Sequence, residues 1–265
     1  MHYSQINLRN VAVLRAYTED MYKITCLASC RQAGIEFDEN HKFTDKGDGG
    51  NDGKLANNLS RTKSRIFELS YCNPWELFVT LTLDPKKYDR KDLPKFIKDL
   101  SQMVRDYRKK TGNELKYLLI PERHQDGSWH MHGFFMGLPL DALHAFDRSE
   151  HLPYRILQRL DEGIAVYTWE AYAKRFGYAV MEGIQNHEAA SRYITKYVTK
   201  EALHTITELN AHAFYASKGL NESQVVARDL FNREISNPDY KNDYVACKWF
   251  SDAESAKACF KEVTQ

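Results

Sequence analysis

Two strand-like runs, Leu115–Arg123 and Trp129–Met136, flank the turn pair Asp126-Gly127. Asp-Gly between β-favouring runs predicts an antiparallel hairpin, and this hairpin constrains the chain more than any other feature. Residues two apart on a strand share a face, so His130 and His132 of "SWHMHGFF" project together and Met131 projects oppositely. Glu122, on the other arm, reaches their face only if the connection has an odd number of residues. A three-residue Asp126-Gly127-Ser128 loop, with Gly127 left-handed, sets Glu122 opposite His132. A two-residue Asp-Gly turn sets it opposite Met131, on the wrong face. An odd-length loop or a bulge is therefore expected.

Around the hairpin the elements alternate between types. Phe78–Leu83, "FVTLTL", is a strand ended by Asp84-Pro85. Asp92 offers an N-cap and Pro94 a first-turn proline for a helix to about Lys110, whose apolar positions recur at three and four residues. Leu59–Ser70 reads as a helix, and so does Glu188–Glu201. The expected class is α+β: a central antiparallel sheet with flanking helices, packed on one face. Three regions are expected. They are an N-terminal extension over 1–58 with a mobile Gly/Asp-rich loop at 38–58, a central domain over 59–205, and a C-terminal extension over 206–265 packing on the core.

No apolar run is long enough for a membrane span and no secretory signal opens the chain, so a cytoplasmic location is expected, with no membrane partner. The five cysteines (Cys26, Cys30, Cys72, Cys247, Cys259) are odd in number and scattered, as reduced thiols would be. Net charge is only +1, but ten basic residues face four acids between Lys86 and Lys110, and Lys54–Arg65 holds four cations with no acid. Such runs are either solvated faces or phosphate-tracking surfaces. There is no G-x-x-x-x-G-K-[ST], which excludes a fused P-loop helicase and a nucleotide cofactor of that kind.

An H-x-H strand alone is more often structural than catalytic. With Glu122 it becomes a set of two imidazoles and one carboxylate, which leaves coordination positions open for chemistry. Mg²⁺ or Mn²⁺ would suit phosphate chemistry, and Zn²⁺, Ni²⁺ or Cu²⁺ would bind such donors at least as tightly in vitro. His124 shares the parity of Glu122 and is a further candidate ligand or supporting group.

"RYITKYVTK" (Arg192–Lys200) is the second constellation. On a helix Tyr193, Lys196, Tyr197 and Lys200 share one face, with Ile194 and Val198 on the adjoining apolar edge. An aromatic pair beside lysines can be mere packing. It also suits phosphodiester attack by a phenol whose anion a cation stabilises, and two tyrosines would permit two successive transfers.

Together "FVTLTLDP", "ERHQDGSWHMH" and "YITKYVTK" resemble the three ordered motifs of HUH endonucleases, in particular the two-tyrosine rolling-circle replication initiators of single-stranded DNA phages and plasmids. The resemblance spans roughly Arg61–Lys200. It implies a ferredoxin- or RRM-like sheet with the H-x-H strand central, and Mg²⁺ or Mn²⁺ on Glu122, His130 and His132. It also implies Tyr193 and Tyr197 as nucleophiles that nick origin DNA, leaving a 5′-phosphotyrosine and a 3′ hydroxyl, and later rejoin the strand. Lys196 and Lys200 would assist at the phosphate. Thr80 and Thr82 would support the site or the DNA, whose path is placed along Arg61, Lys63, Arg65 and the Lys86, Lys87 to Lys110 face. Implied partners are a single-stranded origin stem-loop and a host helicase and polymerase, in a bacterial cytoplasm. The alternatives are a two-tyrosine transposase or relaxase of the same superfamily, or a non-catalytic RRM-like binder of single-stranded nucleic acid.

Overall fold

In the computed structural model the backbone is described for residues 6–32, 51–199, 212–242 and 245–265, and side chains for 10–28, 59–199, 212–242 and 245–265. The chain divides into two units. Residues 51–221 form one, and 1–50 together with 222–265 form the other. The separate extensions expected at 1–58 and 206–265 are thus corrected: strands from the two chain ends pair with each other. The loop expected at 38–58 falls outside the described residues up to 50, and from Asn51 onward it is helix.

The strands are β1 (Ile6–Thr18), β2 (Met21–Gln32), β3 (Leu77–Leu83), β4 (Lys116–Arg123), β5 (Trp129–Met136), β6 (His144–Ala145), β7 (Val166–Thr168), β8 (Gly177–Gly183), β9 (Tyr215–Ala216), β10 (Gln224–Leu230), β11 (Tyr240–Lys241) and β12 (Val245–Phe250). The helices are α1 (Asn51–Tyr71), α2 (Leu93–Thr111), α3 (Tyr154–Asp161), α4 (Glu170–Arg175), α5 (His187–Ile194) and α6 (Ala253–Thr264).

The central unit carries a seven-stranded sheet in the order β6-β7-β8-β3-β5-β4-β9, with antiparallel pairing throughout. Its four inner strands, β8-β3-β5-β4, are joined as β3-α2-β4-β5-α4-β8, the connectivity and order of a ferredoxin-like sheet. The H-x-H strand β5 sits between β3 and β4, as the resemblance implies.

Alternation decides what each face of this sheet does. Leu77, Val79, Leu81 and Leu83 of β3 are buried on one side, where Phe96, Leu100 and Val104 of α2 join Met131 and Phe135 in the main core. Asp92 caps α2 by accepting the Lys95 N–H at 3.0 Å, and Gly112 ends it in the left-handed region at φ 75°. The opposite face carries Thr80, Thr82, His130 and His132. At its far end Leu118, Ile120 and Phe134 are covered by Ile66 and Leu69 of α1 and by Ile194 and Val198. Helices therefore pack on both faces, not on one as expected.

The helix expected over Glu188–Glu201 is shorter. Asn186 caps α5 by accepting the Ala189 N–H, the helix ends at Ile194, a 3₁₀ turn spans Thr195–Tyr197, and Val198 is extended. The β-branched Thr195, Val198 and Thr199 disfavour further helix, and burial of Val198 against the sheet draws the chain out of it. In the other unit the sheet order is β10-β1-β2-β12-β11. α6 covers one face through Ala256, Phe260 and Val263, packed on Ala12, Leu14, Ile24 and Cys26. The described cysteines are free thiols, three of them buried. Among the described residues no helix is long and apolar enough to cross a membrane.

Candidate functional site

The turn that orients the site is Gln125-Asp126-Gly127. The His124 N–H donates to the Ser128 carbonyl at 2.8 Å and the Gly127 N–H to the His124 carbonyl at 2.9 Å. Gly127 lies at φ 82°, so this is a three-residue connection closed by a left-handed glycine. Asp126 pins it by accepting both the N–H (2.9 Å) and the hydroxyl (2.6 Å) of Ser128. Arg90 donates to the Ser128 hydroxyl at 2.8 Å, and its backbone carbonyl accepts the Trp129 N–H.

An odd-length loop is thus present and Glu122 stands on the histidine face. The loop begins one residue earlier than expected, so Glu122 pairs with His130 and Ile120 with His132. The carboxylate crosses diagonally, however, and lies 2.7 Å from His132 Nε2. His124 Nε2 is 3.7 Å from the same oxygen, and the His124 ring stacks on His130 with centroids 3.9 Å apart.

Strand β3 supplies the next layer. Thr80 pairs with His132 and Thr82 with His130, and each threonine hydroxyl lies 3.2 Å from the Nδ1 of its histidine. A hydroxyl can donate or accept, so each threonine fixes the ring plane while accommodating either tautomer. Burial pushes the His130 imidazole down to about 4, helped by the positive charges of His124, His132 and Arg90 and opposed by Glu122. Burial also lowers His132, against the opposing pull of the Glu122 carboxylate. Both rings are consequently neutral near pH 7, the form in which imidazole coordinates a cation.

The tyrosines reach this face from α5 and the turn that follows it. The Tyr197 ring lies parallel to His132, with centroids 3.9 Å apart and planes 9° from parallel. Its hydroxyl donates to that of Tyr193 at 3.2 Å. Burial, then this hydrogen bond, raises the Tyr197 phenol. Tyr193 is 44% exposed, packs its ring edge-on to Phe78, and has the Lys196 ammonium 4.9 Å from its ring centroid.

Glu122, His130, His132, Thr80, Thr82, Tyr193, Lys196 and Tyr197 are therefore brought together. Lys200 lies outside the described residues. Arg61, Lys63 and Arg65 are on α1, which packs on the site face, and Arg65 is ion-paired with Glu68 at 2.8 Å. Lys86 and Lys87 follow β3 in a turn, with the Lys87 ammonium donating to the Ala173 carbonyl at 3.0 Å. The basic side of α2, expected to line a DNA path, is across the sheet from the histidines, because the apolar stripe of α2 packs on the Met131 face. Sequence reasoning overlooked Arg90, which stands in a basic run that gives no hint of its contact with Ser128. It also overlooked Phe78, whose alternation in "FVTLTL" does signal the histidine face.

Among the described residues no group of three His, Cys, Asp or Glu side chains is assembled as a metal cage. The Glu122–His132 hydrogen bond and the His124–His130 stack explain this, since they turn the donors toward one another. The donor chemistry itself fits a divalent ion: two neutral imidazoles with oriented Nδ1 atoms, and one carboxylate, on a single face.

Fold and site together define an α+β domain whose central strand presents two histidines to a carboxylate on one side and a tyrosine pair on the other. Residues 76–202 match the model of the family described as replication-associated protein ORF2, a match consistent with a rolling-circle Rep protein. Comparison with curated proteins and with solved structures found no match.

Proposed function

We propose that this domain nicks and rejoins single-stranded origin DNA by tyrosine transesterification, in the service of rolling-circle replication. The observation that carries the reading is the stack of Tyr197 on His132, which sets a phenol pair against the face holding two imidazoles and a carboxylate.

Tyr193 is the first nucleophile, because its phenol is exposed while the Tyr197 ring is held on His132. The Tyr193 oxygen bonds to a backbone phosphorus and the bond from phosphorus to the 3′ oxygen breaks. The phenol loses one proton and the departing oxygen gains one. The products are a 5′-phosphotyrosine and a free 3′ hydroxyl, and attack by a 3′ hydroxyl on that phosphotyrosine reseals the strand. Lys196, beside the Tyr193 ring, favours the phenolate and neutralises phosphate charge. Tyr197 serves a second transfer once it leaves His132. Glu122, His130 and His132 would hold Mg²⁺ or Mn²⁺, which when bound polarises the phosphate. Arg61 and Lys63, on α1, lie on the side of the sheet where the strand would run.

The test is incubation with single-stranded origin DNA and Mn²⁺, followed by a denaturing gel. A covalent adduct is expected from the wild type and from Tyr197→Phe, and none from Tyr193→Phe. Absence of any adduct with cognate DNA would overturn the reading in favour of a non-catalytic binder.

A further inference from the structure

The unit built from the two chain ends has a sheet with one face under α6 and a second face that no helix of this unit covers among the described residues. The register places Arg15 opposite Lys23, and Lys23 opposite Trp249, so these three form a row across β1, β2 and β12. Arg228 of β10 is on the same face, opposite Val13. The Tyr17 ring meets Trp249 with centroids 5.0 Å apart, and the Lys23 ammonium stands 4.7 Å from the Trp249 ring centroid. No acidic residue shares this face along the paired segments Val11–Arg15, Lys23–Leu27 and Val245–Trp249. The nearby Asp239 carboxylate accepts the Trp249 backbone N–H at 2.7 Å.

We propose that this face is a second binding surface for single-stranded DNA, distinct from the tyrosine site. Aromatic rings on an open sheet stack unpaired bases, and cations beside them neutralise the phosphates without reading sequence. A duplex hides its base faces, so the aromatic pair favours a single strand. Charge complementarity favours a nucleic acid over an acceptor-poor protein surface, and the choice of DNA rests on the replication reading above.

The chain carries its own reporter. Of four tryptophans, Trp75, Trp129 and Trp169 are 4%, 1% and 1% exposed, whereas Trp249 is half-buried on this face. The full chain, in chelator and with an oligothymidylate of about sixteen nucleotides, should show saturable quenching of tryptophan emission. Trp249→Phe should abolish the quenching while retaining binding by fluorescence anisotropy. Lys23→Glu, which leaves the core untouched, should weaken binding by about tenfold or more and make its salt dependence shallower. Circular dichroism checks that each variant is folded.

Unchanged emission at saturating oligonucleotide would overturn the proposal. So would wild-type affinity in folded Lys23→Glu, or tighter binding of oligouridylate than of oligothymidylate. Because no metal and no origin sequence are present, quenching that persists in a protein forming no adduct would refute the nickase reading alone. An adduct without quenching would refute this one alone.

Discussion

Glu122 stands directly across the ladder from His130, yet its carboxylate lies 2.7 Å from Nε2 of His132, one pair along. The diagonal leaves Glu122 in reach of both imidazoles, as one ion shared by three donors requires. Glu122→Gln preserves the size of the side chain and a hydrogen bond to His132 but removes the charge. Mn²⁺ affinity, read by calorimetric titration, should fall by at least the ~10–100-fold that loss of an outer-sphere partner costs. Adduct formation should fall with it, while thermal stability stays close to wild type. Undiminished Mn²⁺ binding would remove Glu122 from the donor set.

The two threonines of β3 act one step further out. Each hydroxyl is 3.2 Å from the Nδ1 of its paired histidine, and valine reproduces the shape without the oxygen. Thr80→Val and Thr82→Val should each lower Mn²⁺ affinity by about tenfold or more, and the double variant should lose more. Both proteins should still bind oligonucleotide, since neither change alters charge. Equal Mn²⁺ affinity in wild type and double variant would make the threonines mere strand residues.

What was legible beforehand was local. Alternation in "FVTLTL" and "WHMHGFFM" placed β3 and β5, and Asp92 and Gly112 bracket α2 because caps act within one turn. Parity of the hairpin was legible too, but its register was two residues off. Gln125-Asp126-Gly127 and Asp126-Gly127-Ser128 both offer an odd loop with Gly127 inside, and the Asp126–Ser128 bonds decide between them. Long-range pairing was not legible. Val13 meets Arg228 across more than two hundred residues, and nothing in either segment names the other. The early end of α5 was hidden for the same reason, since burial of Val198 is a tertiary fact. Residue types pointed to a phenol near the histidines, but the face-to-face contact of Tyr197 with His132 needed the fold.

The depressed imidazoles make a prediction about acid. His130 titrates at about 4 when folded and near 6.5 when unfolded. Between these values the unfolded chain binds a proton that the folded chain does not. Its contribution to stability is therefore complete above about pH 6.5 and declines as pH falls toward 4. His132, also lowered, acts in the same direction. With chelator present, the urea midpoint should drop between about pH 7 and pH 5, and His130→Asn should flatten that drop. A midpoint equally pH-dependent in the variant would assign the effect to other groups.

Gly133 sits in β5 directly after the H-x-H pair, opposite Leu119 on one side and Val79 on the other. A Cβ built there falls 1.9 Å from the Leu118 carbonyl oxygen and 2.9 Å from the Leu119 Cα. Both neighbours are backbone, so no rotamer change relieves the clash; β4 and β5 must separate. That ladder is what holds Glu122 against His130 and His132, and the strain arises three pairs away. Gly133→Ala, conservative in chemistry, should therefore cost about 3 kcal/mol and lower Tm by about 6–12 °C in a domain of this size. Adduct formation at a temperature where the variant is still folded should fall as well, because the carboxylate and the imidazoles are no longer held in register. Thermal unfolding followed by circular dichroism measures the first effect and the denaturing gel the second. An unchanged Tm would mean that β4 and β5 do not approach each other this closely.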